Sequence, residues 1–139
     1  MPTSANHNGS KVPPILEHAG PLLSRYDAVF CDVWGVIHNG VTAFEEACRA
    51  LEKFRGQGGT VILVSNAPVP KQRVMDMLDF RHVPRGAWDD IVSSGDIALT
   101  HLAERNYERI YCIGPQDRDR ALFSALPGRS VELADAEAI

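Results

Sequence analysis

No stretch of the 139 residues approaches the roughly 18 consecutive apolar residues of a membrane span. The N-terminus, MPTSANHNGSKVPP, has no apolar centre of the kind a signal peptide needs. Basic residues are few, 14 Lys and Arg against 18 Asp and Glu, and they form no dense run. With a net charge of −4 and a pI of about 5.7, no basic field for nucleic acid results. Neither membrane nor nucleic acid is therefore expected as a partner, and a cytoplasmic setting is the default. The three cysteines, Cys31, Cys48 and Cys112, form neither a disulfide framework nor a C-x-x-C knuckle, and their apolar contexts predict buried, reduced thiols. The five histidines (His7, His18, His38, His82 and His101) show no metal-ligand spacing such as H-x-x-x-H. No G-x-G-x-x-G follows an apolar run, which argues against a dinucleotide site.

What remains is the composition of a folded protein, 45% apolar and 23% charged, long enough for one domain or for half of a larger fold. Residues 1–13, rich in Ser, Asn, Gly and Pro, predict a flexible tail. Apolar runs and helical stripes then alternate. Strands are expected at Tyr26 to Cys31, Thr60 to Ser65, Asp90 to Ser93 and Arg109 to Ile113. Thr42-x-x-Glu45 has the spacing of a capping box ahead of the stripe Phe44, Ala47, Leu51 and Phe54, which Gly56, Gly58 and Gly59 end. Pro70 suits a first helical position, and Val74, Met77 and Leu78 give the next stripe. Ile97, Ala98 and Leu102 mark a further helix, and Leu122, Phe123 and Leu126 a last one. Such alternation predicts an α/β fold, a Rossmann-like parallel sheet with helices on both faces.

In a parallel sheet, ligands bind beyond the C-terminal ends of the strands. Two of these ends carry polar groups. The first reads Cys31-Asp32-Val33-Trp34-Gly35-Val36, a carboxylate followed by a glycine that lets the backbone turn. The second reads Ser65-Asn66-Ala67-Pro68, a hydroxyl and an amide able to hydrogen-bond an anionic oxygen. On adjacent strands, Asp32 would serve as a nucleophile and Ser65 as a phosphate ligand. From the pattern alone, a second reading stands beside this one: Asp32 caps a turn and Ser65-Asn66 begins a loop.

The run Y-D-A-V-F-C-D-V-W-G-V-I-H-N-G, followed by V-I-L-V-S-N-A-P, resembles motifs I and II of the haloacid dehalogenase-like superfamily. It is most similar to the class IIA, NagD-like phosphatases, and among them to a bacterial subgroup with D-x-W-G at motif I. The segments I-V-S-S-G-D-I-A and I-Y-C-I-G-P resemble the lead-in to that branch's cap domain. The resemblance runs from about Pro14 to near the C-terminus. It implies the N-terminal half of the core over residues 14–94 and the start of a class II α/β cap over 95–139. It also implies a Mg²⁺-dependent hydrolase of small phosphomonoesters, of the sugar phosphate or nucleotide class. Asp32 would form an aspartyl-phosphate, Asp32 and the Trp34 backbone carbonyl would be metal ligands, and Ser65 and Asn66 would hold the phosphoryl group. Self-association into a homo-oligomer is left open.

Two departures follow. Most members carry a second Asp two positions after the nucleophile, as a general acid and base; here that position is Trp34, which cannot transfer a proton. The indole would stack on a substrate, close the pocket, or pack against the cap. His38 reads as a solvent-facing bystander on the flap. Secondly, no segment after Pro115 resembles motifs III and IV, so Asp117, Asp119 and Asp135 read as helix-start or surface acids. The expectation is a phosphatase completed by a longer parent chain and inactive as residues 1–139 alone. The alternative is a pseudoenzyme that binds a phosphorylated ligand or a partner. A phospho-accepting receiver domain is disfavoured, because one Asp, not an acidic pair, follows the first strand.

Overall fold

The computed structural model describes Pro13 and residues 15–139. The tail expected over 1–13 lies outside the described residues, apart from Pro13, which is exposed. A short helix α1 (Gly20–Leu23) precedes strand β1 (Ala28–Asp32), helix α2 (Glu45–Gly56), strand β2 (Thr60–Ser65) and helix α3 (Lys71–Phe80). Strand β3 (Asp90–Ser93), helix α4 (Ser94–Glu104), strand β4 (Arg109–Ile110), helix α5 (Arg120–Phe123) and strand β5 (Arg129–Ser130) follow.

β1, β2 and β3 form one parallel sheet in that order. The register aligns Phe30 with Ile62, Asp32 with Val64, and Ser65 with Ser93. The α/β class, with parallel strands and flanking helices, is the one expected from the alternation. β2 and β3 have the anticipated bounds. β1 begins two residues later than expected, because Thr60, the first residue of β2, aligns with Ala28 and leaves Tyr26 and Asp27 without strand partners. It ends one residue later, so Asp32 is itself the last strand residue.

Side chains alternate across the sheet. Cys31, Val61, Leu63 and Ile91 point into a core closed by Cys48, Leu51 and Phe54 of α2 and by Val74 and Leu78 of α3. Burying each such side chain contributes about 1.5–3 kcal/mol. The alternate residues form a more open face, on which Phe30 is 75% and Val64 39% exposed.

The expected capping box does not form. Phe44 occupies the N-cap in an extended conformation, with no side-chain cap bond, and α2 starts at Glu45. The physical reason lies just upstream. The Asn39 Oδ1 accepts the N–H groups of Val41 and Thr42, each at 2.9 Å, and Ala43 bridges antiparallel to His38. Thr42 thus belongs to a turn that returns the chain, and the helix waits until the turn is complete. Pro70 is the N-cap of α3, one position before its expected place.

Beyond α4 the chain is less regular. The strand expected over Arg109 to Ile113 is only Arg109–Ile110, and it pairs parallel with β5 in a separate two-stranded sheet that the sequence did not reveal. Cys112 is half-buried, unlike Cys31 and Cys48, because β4 ends before it; all three thiols are free. Asp119, read as a helix-start or surface acid, is the N-cap of α5; it is buried, and its carboxylate meets the Arg118 guanidinium at 2.9 and 3.2 Å. No helix among the described residues is long and apolar enough to cross a membrane.

Candidate active site

Asp32 ends β1 and Ser65 ends β2, so the topology of two neighbouring parallel strands brings both to the same end of the sheet. Asp32 aligns with Val64, and alternation assigns Ser65 to the opposite face. Both nevertheless border one cavity of about 490 Å³, because each stands where the strands stop. Trp34, Asn66 and, unexpectedly, His38 border it as well. Met77 of α3, with the buried Val74 and Leu78 behind it, supplies an apolar wall.

The carboxylate of Asp32 is exposed, and its Oδ1 accepts the N–H of Val33 at 2.6 Å, which orients it at the turn. Val33 is buried and anchors that turn to the core. Gly35, at φ +77°, reverses the chain, and its N–H donates to the His38 carbonyl at 2.8 Å. The Ser65 hydroxyl accepts from the N–H of Ala67 at 3.2 Å, so its proton remains available for an anionic oxygen. No backbone N–H among the described residues donates to the Trp34 carbonyl. No lysine or arginine among them borders the cavity.

His38 is not a solvent-facing bystander: it is 1% exposed. Its Nδ1 accepts the N–H of Gly40 at 2.9 Å, which places the neutral ring's proton on Nε2. Burial, and secondarily the positive charge of Arg81, push its pKa down. Its ring meets Trp34 edge-on, with centroids 5.6 Å apart at 87°. No sequence signal separates this buried histidine from an exposed one: its burial depends on how the turn carrying Trp34 and Gly40 folds against the rest of the chain.

A second group absent from the expected site is Ser93-Ser94-Gly95. The Ser93 hydroxyl, fully buried, donates to the Val69 carbonyl at 2.7 Å and accepts from the N–H of Asp96 at 3.2 Å, capping α4. The Ser94 hydroxyl lies 3.0 and 2.9 Å from the carbonyl oxygens of Asn66 and Ala67. Gly95 packs on the backbone of Val69, where a Cβ would come within 2.5 Å of its N and C atoms. These three residues therefore brace the loop that presents Ser65 and Asn66. The hydroxyl spacing was readable; the loop it supports was not.

A larger cavity, about 910 Å³, lies between residues 17–24 and α2, lined by Glu17, His18, Glu46, Lys53 and Phe54 among others. It is remote from the strand ends, so volume alone does not locate the chemistry. Burial pushes the thiols of Cys31 and Cys48 up, with like charges nearby adding to the effect, which disfavours the nucleophilic thiolate.

Comparison with known proteins agrees with this geometry. Residues 29–125 match the family model of haloacid dehalogenase-like hydrolases. Ten chains of solved structures match. One is the crystal structure of a hydrolase of the haloacid dehalogenase-like family from Brucella suis 1330, 41% identical, with a TM-score of 0.75 over 88% of this chain and 46% of that one. The chain thus spans about half the length of that relative. No curated protein matches. With the family model spanning both strand-end motifs and the sheet laid out as in a solved relative, the chain belongs to the haloacid dehalogenase-like hydrolase family.

Proposed function

We propose that the protein is a Mg²⁺-dependent phosphatase of the class IIA, NagD-like type, acting on small phosphomonoesters through an aspartyl-phosphate on Asp32. The observation that carries this reading is the shared cavity of Asp32, Ser65 and Asn66 at the ends of two adjacent parallel strands. The Asp32 carboxylate attacks phosphorus in line with the ester oxygen, which departs. The Ser65 hydroxyl and the Asn66 amide hold the phosphoryl oxygens during the transfer. Water then hydrolyses the acyl phosphate and restores the carboxylate.

The donor set suits Mg²⁺ in kind: a carboxylate of Asp32 and the Trp34 carbonyl, which no backbone N–H of the described residues occupies. It is incomplete in number, since the described residues contain no group of three His, Cys, Asp or Glu that could hold a metal. When bound, the ion neutralises phosphate charge. The remaining acidic and cationic groups, and the rest of a cap that begins near residue 95, belong in our reading to a longer parent protein. The Brucella relative, about twice the matched length, supports this. A cytoplasmic setting agrees with three unpaired thiols.

The test is hydrolysis of a generic phosphomonoester by the parent protein. Mg²⁺-dependent turnover lost on Asp32→Asn, with a phosphoryl group trapped on Asp32 by acid quench, is the expected result. Residues 1–139 alone should bind Mg²⁺ weakly and turn over negligibly. Full activity of Asp32→Asn would refute the nucleophile, and robust turnover by residues 1–139 would refute the need for further groups. Trp34 at the acid position favours a second reading, a phospholigand-binding pseudoenzyme; phosphate binding with no phosphorylation of Asp32 would select it.

A further inference from the structure

The geometry points to Trp34 as a fixed aromatic wall that selects phosphomonoesters of planar aromatic alcohols over alkyl and sugar phosphates, with Arg81 as the residue that positions it. This rests on the phosphatase reading and narrows its substrate class.

Trp34 is 63% exposed although it borders the cavity beside Asp32. A single exposed apolar side chain is ordinary. What sets this one apart is how firmly it is held. Its six-membered ring rests on Gly40, where a Cβ would lie 2.5 Å from Cη2 and 2.8 Å from Cζ3. His38, buried beneath the turn, meets the indole edge-on and takes the Gly40 N–H on Nδ1. The Gly40 carbonyl accepts from Arg81 Nε at 3.0 Å, and Arg81 Nη1 donates to the Met77 carbonyl in the last turn of α3 at 2.8 Å. A chain of contacts thus runs from α3 through Arg81 and Gly40 to the indole. The ring is preorganised, so a ligand that stacks on it loses little side-chain freedom in doing so.

The cavity is divided in character. Its polar side, Asp32, Ser65 and Asn66, suits a phosphoryl group; its apolar side, the exposed Trp34 and the half-buried Met77 with the core residues Val74 and Leu78 behind them, suits a flat ring. Trp34 stands two positions after Asp32 and borders the same cavity, so an aromatic ring carried close to the ester oxygen is the one placed to meet the indole. The chemistry agrees with the shape. Trp34 cannot protonate a leaving group, and an aryl oxide needs little protonation, since a phenol has a pKa of about 10. In the transfer, the O–P bond from Asp32 forms and the ester P–O bond breaks. The aryl oxide departs with the electron pair and takes its proton from solvent.

Binding separates this inference from the reading beneath it. Dissociation constants for inorganic phosphate, glycerol phosphate and phenyl phosphate are measured by calorimetry on the protein in Mg²⁺ buffer. Phenyl phosphate should bind about tenfold more tightly than glycerol phosphate, the scale of one aromatic contact. Trp34→Leu should bring that ratio close to one. Arg81→Met should reduce the ratio and lower the fluorescence anisotropy of Trp34, read in a Trp88→Phe background, while Arg81→Lys should restore part of both. Equal binding of the two esters, or a ratio that survives Trp34→Leu, would overturn the aromatic wall while leaving a phosphate site intact. Unchanged anisotropy in Arg81→Met would overturn the positioning role. Failure of all three ligands to bind would remove the phosphate site and the inference together.

Discussion

Ser93→Ala removes one oxygen atom, and its cost can be worked from two contacts. The buried hydroxyl donates to the Val69 carbonyl at 2.7 Å and caps α4 by accepting the Asp96 N–H at 3.2 Å. Loss of an N-cap serine costs about 1 kcal/mol. Leaving the part-buried Val69 carbonyl without its donor costs about 1 kcal/mol more, the low end for an unsatisfied acceptor. The total is about 2 kcal/mol. With a urea m-value of roughly 2 kcal/mol/M for a chain of this size, the midpoint should fall by about 1 M while m stays constant. Ser94→Ala is the control: its hydroxyl is exposed and its two carbonyl contacts compete with water, so a change of about 0.5 kcal/mol is expected. Urea unfolding followed by circular dichroism reads both. Should Ser93→Ala shift the midpoint no more than Ser94→Ala, the brace behind the Ser65–Asn66 loop would not hold as described.

Gly95→Ala places a methyl against the backbone of Val69, which cannot turn aside as a side-chain end can, so a loss of about 1–3 kcal/mol and weaker phosphate binding should appear together in thermal melts and calorimetry. Leu63→Ala, in the central strand and fully buried, should cost about 2–5 kcal/mol by urea titration. For His38 the folded-state pKa lies below the unfolded value of about 6.5, through burial first and the Arg81 charge second. The unfolded chain therefore takes up the proton more readily, and His38's share of stability is whole above that pH and is lost as the pH falls. His38→Asn should flatten the stability difference between pH 7 and pH 5; an equal loss in both proteins would show that His38 is not the group responsible.

The strands were legible because burial and β-branching leave a local mark: TVILVS and DIVS carry apolar, branched residues, follow Gly59 and Asp89, and lead into the polar Asn66 and Ser94. The placement of Asp32 and Ser65 followed from topology alone, since parallel strands joined by helices must end on the same side. The capping box failed because its spacing is local whereas the competing turn is closed by Asn39 and by the bridge from His38 to Ala43. The short β4–β5 pairing left almost no pattern, as two residues per strand carry no period.

What the sequence by itself determined is the order of elements, the parallel sheet and the end of it where Asp32 and Ser65 stand, because these depend on periodicities of a few residues. Tertiary structure alone decided the surroundings of those groups. Arg81, 43 positions after the buried His38, donates to the carbonyl of Gly40, the residue whose N–H the His38 ring accepts. Ser93 and Ser94 reach carbonyls 24 to 28 residues earlier in the chain. Contacts of that separation depend on how the helices settle on the sheet, and no short-range pattern in the chain encodes them.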